Sequence, residues 1–291
     1  MHGAPASASG SAAADRHVAV EYSSDDEWAG RLVAFVRTGL DGGEQVRYFA
    51  DVTDPGLVVR TLTERGVDAG AAVRRGQLVV TTADETYPAG ARFDPDAMIG
   101  LWRRAAEAAA ARGHRSLRVI GEMSRGARHR AGAERLLEYE LRIHQEVFER
   151  LPLTAWCFYD RRLVPGDALE LLAGAHLTRS GTAARPGGGP VLSVAPLAGP
   201  PGFRLSGSAG YESRRVTASA AAAVAASPAP DLTLDLSRLD HLDVAAFADL
   251  ARAAHRRTSR TPVRLLGSPP ALTRMLELFP ELGAGLEESG Q

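Results

Sequence analysis

Residues 232–237 alternate with a period of two. Leu232, Leu234 and Leu236 fall on one face; Thr233, Asp235 and Ser237 fall on the other. That period predicts a strand with one buried face. The period then changes. Asp243 stands before Val244, Phe247, Leu250, Ala251 and Ala254, the spacing of an amphipathic helix behind an N-cap. The residues just after Asp243 therefore lie at a helix N-terminus, where backbone N–H groups favour negative charge.

The same two periods recur from residue 17 onward. Val18, Ala19 and Val20 predict a short buried strand entered through His17. Tyr22-Ser23-Ser24-Asp25 predicts a turn and an N-cap, and Trp28, Leu32, Phe35, Val36 and Leu40 the apolar face of the next helix. Further strands are predicted at 45–50, 77–81, 117–120 and 154–159. Helices are expected after Asp54-Pro55 and Asp94-Pro95, each an N-cap followed by proline at the first helical position. Another long helix is expected over 132–151 and a short one over 165–175. Strands alternating with helices imply βαβ units and a largely parallel sheet covered on both faces.

At 179–190 the Gly, Pro and Ser content breaks every periodicity and predicts a flexible linker. A second, smaller α/β domain is expected over 191–285. It opens with two strands across a Gly-Pro-Pro-Gly turn, has an alanine-rich helix over 211–226, and ends in a strand at 263–266 and a helix from Pro270. The division is thus a disordered tail at 1–15, a first domain at 16–178, the linker, the second domain, and a tail at 286–291.

Composition narrows the function classes. The chain has 291 residues, a net charge of −1 and 45% hydrophobic residues, so charge gives no argument for a nucleic-acid partner. All its basic residues besides histidine are arginine, and it lacks asparagine, which reads as coding bias. The single cysteine, Cys157, excludes an intramolecular disulfide and fits a reducing cytoplasm. No apolar run approaches the ~20 residues of a membrane span, and neither membrane nor nucleic acid is expected as a partner.

The first strand–turn–helix is where a doubly wound nucleotide-binding domain carries its phosphate loop. Such a loop needs glycines and a Lys-Ser/Thr pair. Here the turn has neither glycine nor lysine, and Asp25, Asp26 and Glu27 would repel phosphate. Tyr22, Glu122, Tyr159 and Asp160 stand near C-terminal strand ends, which face the ligand crevice of an open parallel sheet. With Glu138 and Glu140 on the following helix they form a candidate site for a metal, a cation or a polar ligand, against a structural pairing of Glu122 with Arg125 or Arg161. His17 and Cys157 join the candidate ligand-binding set, although their spacing matches no compact metal pattern and no metal or cofactor is expected. The remaining histidines, His144 and His176 among them, are expected at helix ends or on polar faces, in solvent. The run Arg125–Arg130 predicts a solvated basic loop. No Gly-x-Ser-x-Gly elbow is present, so acyl transfer has no support.

Residues 17–178 resemble the MEDS family, the methanogen/methylotroph, DcmR-like sensory domain. The resemblance rests on His17 with Tyr22 and the acids after it, on Gln77-Leu-Val-Val, Glu85-Thr-Tyr87, Arg92-Phe-Asp-Pro-Asp96, Gly121-Glu-Met123, Leu136-Leu-Glu-Tyr-Glu140 and Cys157-Phe-Tyr-Asp160. It implies a degenerate RecA/KaiC-like doubly wound fold and the sensing of a small ligand. Family sequences often carry a cysteine shortly after the histidine; this chain has Val18-Ala19 there. Residues 191–285 resemble a STAS domain, the anti-sigma factor antagonist fold, through the run from Asp235 to Asp243, then Val263-Arg-Leu-Leu-Gly267 and the helix at 272–279. In phosphorylatable members the residue after the aspartate is a serine or threonine. Here it is Val244, followed by Ala245 and Ala246.

The expectation is a non-enzymatic cytoplasmic regulator. The first domain senses a small ligand. Asp243, Val244, Ala245 and Ala246 present the second domain to an anti-sigma factor of the histidine-kinase-like ATPase type, or to another regulatory protein, without phosphorylation. A degenerate nucleotide-binding module or weak enzyme using Glu122, and an assembly scaffold, are the alternatives.

Overall fold

The structure is a computed structural model describing residues 16–82, 85, 92–123, 131–181 and 190–288. The expected tail at 1–15, positions 289–291 of the expected tail at 286–291, the basic run at 125–130, Thr86 and Tyr87, and positions 182–189 of the linker lie outside the described residues.

The chain is α/β. Among the described residues, six parallel strands form the first sheet: β1 (His17–Tyr22), β2 (Gln45–Ala50), β3 (Leu78–Thr82), β4 (Leu117–Glu122), β5 (Leu153–Asp160) and β6 (Thr178–Ser180), in the order β3-β2-β4-β5-β1-β6. The connecting helices are α1 (Asp25–Asp41), α2 (Pro55–Glu64), α3 (Ala69–Arg74), α4 (Pro95–Ala111), α5 (Leu136–Ile143) and α6 (Gly166–Gly174). Ser24, Asp54 and Asp94 each accept a backbone N–H at their helix start, as the sequence predicts.

Alternation assigns the strand side chains to two faces. Val18, Val20, Tyr22, Val46, Tyr48, Ile120 and Phe158 pack in one apolar cluster with α1 and α2. Ala19, Val119, Ala155, Cys157 and Tyr159 belong to the other, with α4 and α5.

Three expectations change here. The helix expected over 132–151 is broken into a 3₁₀ turn (Ala133–Arg135), α5, and a π segment (His144–Phe148). Every residue of α5 is buried, Glu138, Glu140 and Arg142 included, so no polar face marks its ends. Second, Arg179 and Ser180 are not linker: they lie in edge strand β6, paired to β1, and Arg179 bonds Glu21 and Glu170. Third, Leu286–Glu288 is a strand, not a tail.

The second sheet runs β11-β10-β9-β8-β7. Its strands are β7 (Leu192–Pro196), β8 (Gly202–Ala209), β9 (Thr233–Leu242), β10 (Val263–Leu266) and β11 (Leu286–Glu288). The β7–β8 hairpin is antiparallel and the other pairs are parallel. Helices α7 (Arg214–Ala226), α8 (Val244–Arg256) and α9 (Pro270–Leu278) complete it. At β9 the one-faced alternation fails. Thr233 and Asp235 are buried as well as the leucines, because β9 is central, between β8 and β10, and Asp235 is tied to Arg204 at 2.7 Å.

The two sheets do not have separate cores. Side chains from α4, α5, β5, α7, α8 and β9 belong to one continuous buried apolar cluster. Helix α7 packs against α5, and β7 against α5 and α6. The buried Ser227 hydroxyl, at the end of α7, donates to Gln145 Oε1 in the π segment at 2.8 Å. Among the described residues no helix is long and apolar enough to cross a membrane.

Candidate functional site

Strand register brings the first residues together. In the β1–β5 pairing His17 lies opposite Ala155 and Ala19 opposite Cys157. His17 and Cys157 therefore share a face one pleat apart, and His17 Nε2 is 3.4 Å from Cys157 Sγ. Helix α5 lies over this face and lowers Glu140 onto it, with Glu140 Oε2 at 3.4 Å from His17 Nε2. The fourth group is His176, two residues before β6, whose Nε2 is 3.6 Å from the same carboxylate oxygen. The ligating atoms of all four residues lie within 4.8 Å of one another, and all four residues are buried.

The immediate surroundings are aromatic. The His17 ring stacks on Phe148 of the π segment with centroids 4.5 Å apart, and lies 4.0 Å from the His176 ring. Pi segments often accompany functional sites; this one turns Phe148 onto His17 and Gln145 toward Ser227. Tyr159 packs edge-on to His176, its hydroxyl buried without a hydrogen-bond partner among the described residues.

Burial governs the electrostatics. It holds His17 well below the usual imidazole range, with His144 adding to the effect. It takes His176 down to about 3, with His17 contributing in the same direction. It pushes Glu140 up to about 7, against the pull of His176. It raises the Cys157 thiol, and the Glu140 charge raises it further. Every one of these shifts opposes charge, because water is excluded from the cluster.

Three members of the cluster, His17, Glu140 and Cys157, line one side of a cavity of about 100 Å³. The cavity lies between the sheet face and helices α4 and α5 and reaches the C-terminal ends of β2 and β4 at Asp51, Glu122 and Met123. Its apolar wall includes Phe49, Met98, Trp102, Val119, Tyr139 and Cys157. Trp102 Nε1 donates to the Tyr139 hydroxyl at 2.7 Å, so the indole presents carbon to the cavity.

The other sequence candidates separate into different roles. Glu122 sits at the rim of the cavity, and both its oxygens are engaged. Oε2 accepts from the N–H groups of Asp51, Val52 and Thr53 at 2.7, 3.2 and 3.2 Å, and Oε1 accepts from the Thr53 hydroxyl. It fastens the loop after β2; of the two arginines considered for it, Arg161 faces Glu21 instead, and Arg125 lies outside the described residues. Glu138 is gripped by Arg135 and Arg142. Tyr22 and Asp160 point to the opposite sheet face, into an open cleft beside α1, where Arg162 pairs Asp160 at 2.7 Å and Asp25 at 2.8 Å. In the second sheet Asp243 Oδ1 caps α8 through the Ala246 N–H. Val244 and Ala245 are exposed, whereas Ala246 is buried under the helix and presents no surface.

His144 and His176 correct the expectation of solvated histidines. Both are buried. For His176 the missing signal is β6: three residues at the start of a Gly/Pro-rich run give no periodicity, and without that strand beside β1 nothing places His176 level with His17.

Residues 16–177 match the family described as MEDS, MEthanogen/methylotroph, DcmR Sensory domain. Set against curated proteins, the chain has no match.

Proposed function

The chain belongs to the MEDS family of sensory domains, and we propose that it is a non-enzymatic signalling regulator whose first unit senses a small, mainly apolar molecule. The observation that carries this reading is the cavity under the sheet, walled by carbon and about 100 Å³ in volume. An engineered apolar cavity of about 150 Å³ holds benzene, so this one suits a ligand of up to about four carbons. Nucleotide binding through Glu122 is disfavoured, because that carboxylate is committed to the loop after β2. Asp25, Asp26 and Glu27 fill the first turn of α1, where the Ser24 hydroxyl accepts the Glu27 N–H and the Glu27 carboxylate accepts the Ser23 N–H, leaving no anion seat there.

Small alcohols and hydrocarbons of this size are expected to bind with heat release in calorimetry. The blocking variant is Gly121→Val. A Cβ at Gly121 meets nothing nearer than Met123 Sδ at 3.9 Å, so the valine enters the cavity without displacing backbone, and a β-branched residue suits a strand. Binding is expected to disappear while the melting temperature stays level or rises. A Gly121→Val protein that binds as wild type would overturn the assignment of the cavity.

For the second unit we propose a STAS-like domain that docks an anti-sigma factor of the histidine-kinase-like ATPase type. Support comes from its resemblance in sequence and from an exposed patch. Val244 is 50% exposed and Tyr211 80% exposed, and the intervening surface is short: Gly210, beside Tyr211, lies against Asp243 and His241. Tyrosine is a frequent anchor at interfaces. Val244 offers no hydroxyl, so docking is read as constitutive at this position. Val244→Arg is expected to abolish capture of candidate anti-sigma kinases with little change in stability. Capture that survives it, or phosphate mapped to Ser237 after incubation with kinase and ATP, would sink this half.

A further inference from the structure

Four groups that can each ligate a metal converge from four elements: His17 from β1, Glu140 from α5, Cys157 from β5 and His176 from the turn after α6. Their contacts are poorly matched as a hydrogen-bonded cluster. The His176 Nδ1 lies 3.0 Å from the Leu172 carbonyl oxygen. A carbonyl only accepts, so Nδ1 carries the proton and Nε2 is a bare lone pair. That lone pair is buried without a hydrogen bond among the described residues, and it faces Glu140 Oε2 at 3.6 Å. Neither Glu140 oxygen receives a hydrogen bond among the described residues, although the side chain is fully buried. His17 Nε2 stands 3.4 Å from both that carboxylate and Cys157 Sγ, and one N–H cannot serve both well. With the His17 proton on Nδ1, electron pairs converge from four sides on one small volume shielded from water.

We propose that this volume is a divalent transition-metal site, with His17, Glu140, Cys157 and His176 as ligands and Zn²⁺ as the ion of best fit. A tetrahedron with bonds of about 2.0–2.3 Å has edges of about 3.3–3.8 Å; the three short separations here are 3.4, 3.4 and 3.6 Å. A thiolate and a carboxylate with two neutral imidazoles carry two negative charges, which a divalent cation neutralises where no water can. Thiolate and imidazole select against Mg²⁺ and Ca²⁺ and suit zinc. The Leu172 carbonyl fixes the His176 tautomer, and the Phe148 ring fixes the plane of His17, the orienting role of an outer shell. The sequence expectation of no metal weighed His17 with Cys157, and Glu140 with the other acids, without bringing the two groups together or including His176. The site stands apart from the cavity's ligand, although they share a wall.

The full chain, purified under reducing conditions, is expected to carry zinc by elemental analysis. After chelation it is expected to take up one equivalent of Co²⁺, with the visible bands of a tetrahedral site and a near-ultraviolet thiolate charge-transfer band, all removed by Zn²⁺. Cys157→Ser is expected to lose the charge-transfer band and to weaken Zn²⁺ binding by more than about tenfold, the loss seen when even an outer partner is removed. If that variant does not fold, His176→Gln supplies the second measurement, with an altered visible spectrum and weaker binding. A folded wild-type protein that gives no Co²⁺ bands overturns the proposal, as does a charge-transfer band unchanged in Cys157→Ser. Calorimetry with the small alcohols on the same sample separates the two readings. Alcohol binding without Co²⁺ bands overturns the metal alone; Co²⁺ bands without alcohol binding overturn the cavity's ligand alone.

Discussion

Replacing Arg142 by methionine is expected to destabilise the protein by about 3–5 kcal/mol, the usual cost of removing one partner from a buried ion pair. Arg142 is 6% exposed and has three carboxylate partners. Nε donates to Glu146 at 2.7 Å, Nη1 to Glu138 at 3.0 Å and Nη2 to Asp96 at 2.6 Å. These partners are unequal. Asp96 is mostly exposed, so its arm contributes little. Glu138 keeps Arg135, bonded to both its oxygens at 2.8 Å. Glu146 has Arg142 as its partner and is largely buried, so most of the loss arises there, and the value should fall toward the lower end. Methionine replaces the stem without the charge, which keeps the packing loss small. Urea unfolding measures the effect. Adding Glu146→Gln to Arg142→Met should recover part of it, because the stranded charge is then gone. A loss under about 1 kcal/mol for the single variant would mean that these groups are solvated and α5 is less enclosed than described.

The same network separates the carboxylates of α5. Glu138 and Glu140 are two apart in sequence and so point in different directions around the helix. Arginines take the first, and the sheet face receives the second without a hydrogen-bond donor. Sequence reading grouped both with Glu122 because the helix that follows β4 carries them. Nothing in the spacing distinguishes an acid held by arginine, an acid held by backbone N–H groups and an acid facing imidazoles. That difference is made by partners distant in the chain: Arg142, the loop 51–53, and His17 with His176.

Much of the framework was legible because its signals are local. Ser24, Asp54, Asp94 and Asp243 cap the helices they precede. The aliphatic runs at 18–20, 78–80 and 117–120 lie in parallel strands. What escaped had no local period. Strand β6 is three residues long, and α3 six. Helix α5 lacks an exposed face altogether, so the amphipathic rule for finding its ends had nothing to act on. Asp235 was assigned to a solvent face by alternation, and tertiary pairing with Arg204 buried it. His17 and Cys157 were legible as individuals; their meeting with Glu140 and His176 depends on β1 lying between β5 and β6, which is a fact of topology.

A chain cut between Gly181 and Pro190 by an introduced protease site is expected to hold together, its two fragments co-eluting in gel filtration and the intact protein unfolding in a single calorimetric transition. The reason is α5. It is buried along its whole length, with the first sheet on one side and α7 of the second unit on another. Removing the second unit uncovers that side and β7's contacts with α6. Re-exposing even three apolar side chains costs roughly 5–9 kcal/mol at 1.5–3 kcal/mol each, comparable with the whole stability of a domain. The first unit by itself is therefore expected to aggregate or to bind hydrophobic dyes, and the linker's composition, which suggested loosely tethered domains, is overruled by packing. The arrangement also supplies a route between sites. The helix that lowers Glu140 onto His17 continues into the π segment, where Gln145 accepts the Ser227 hydroxyl of the second unit. Ligand or metal bound under the sheet should therefore raise the single melting temperature as a whole, and Ser227→Ala should lower it, at a stability cost of about 1–3 kcal/mol for a buried, unpaired amide oxygen. Fragments that separate freely after cleavage, each with its own transition, would show that the two units are independent.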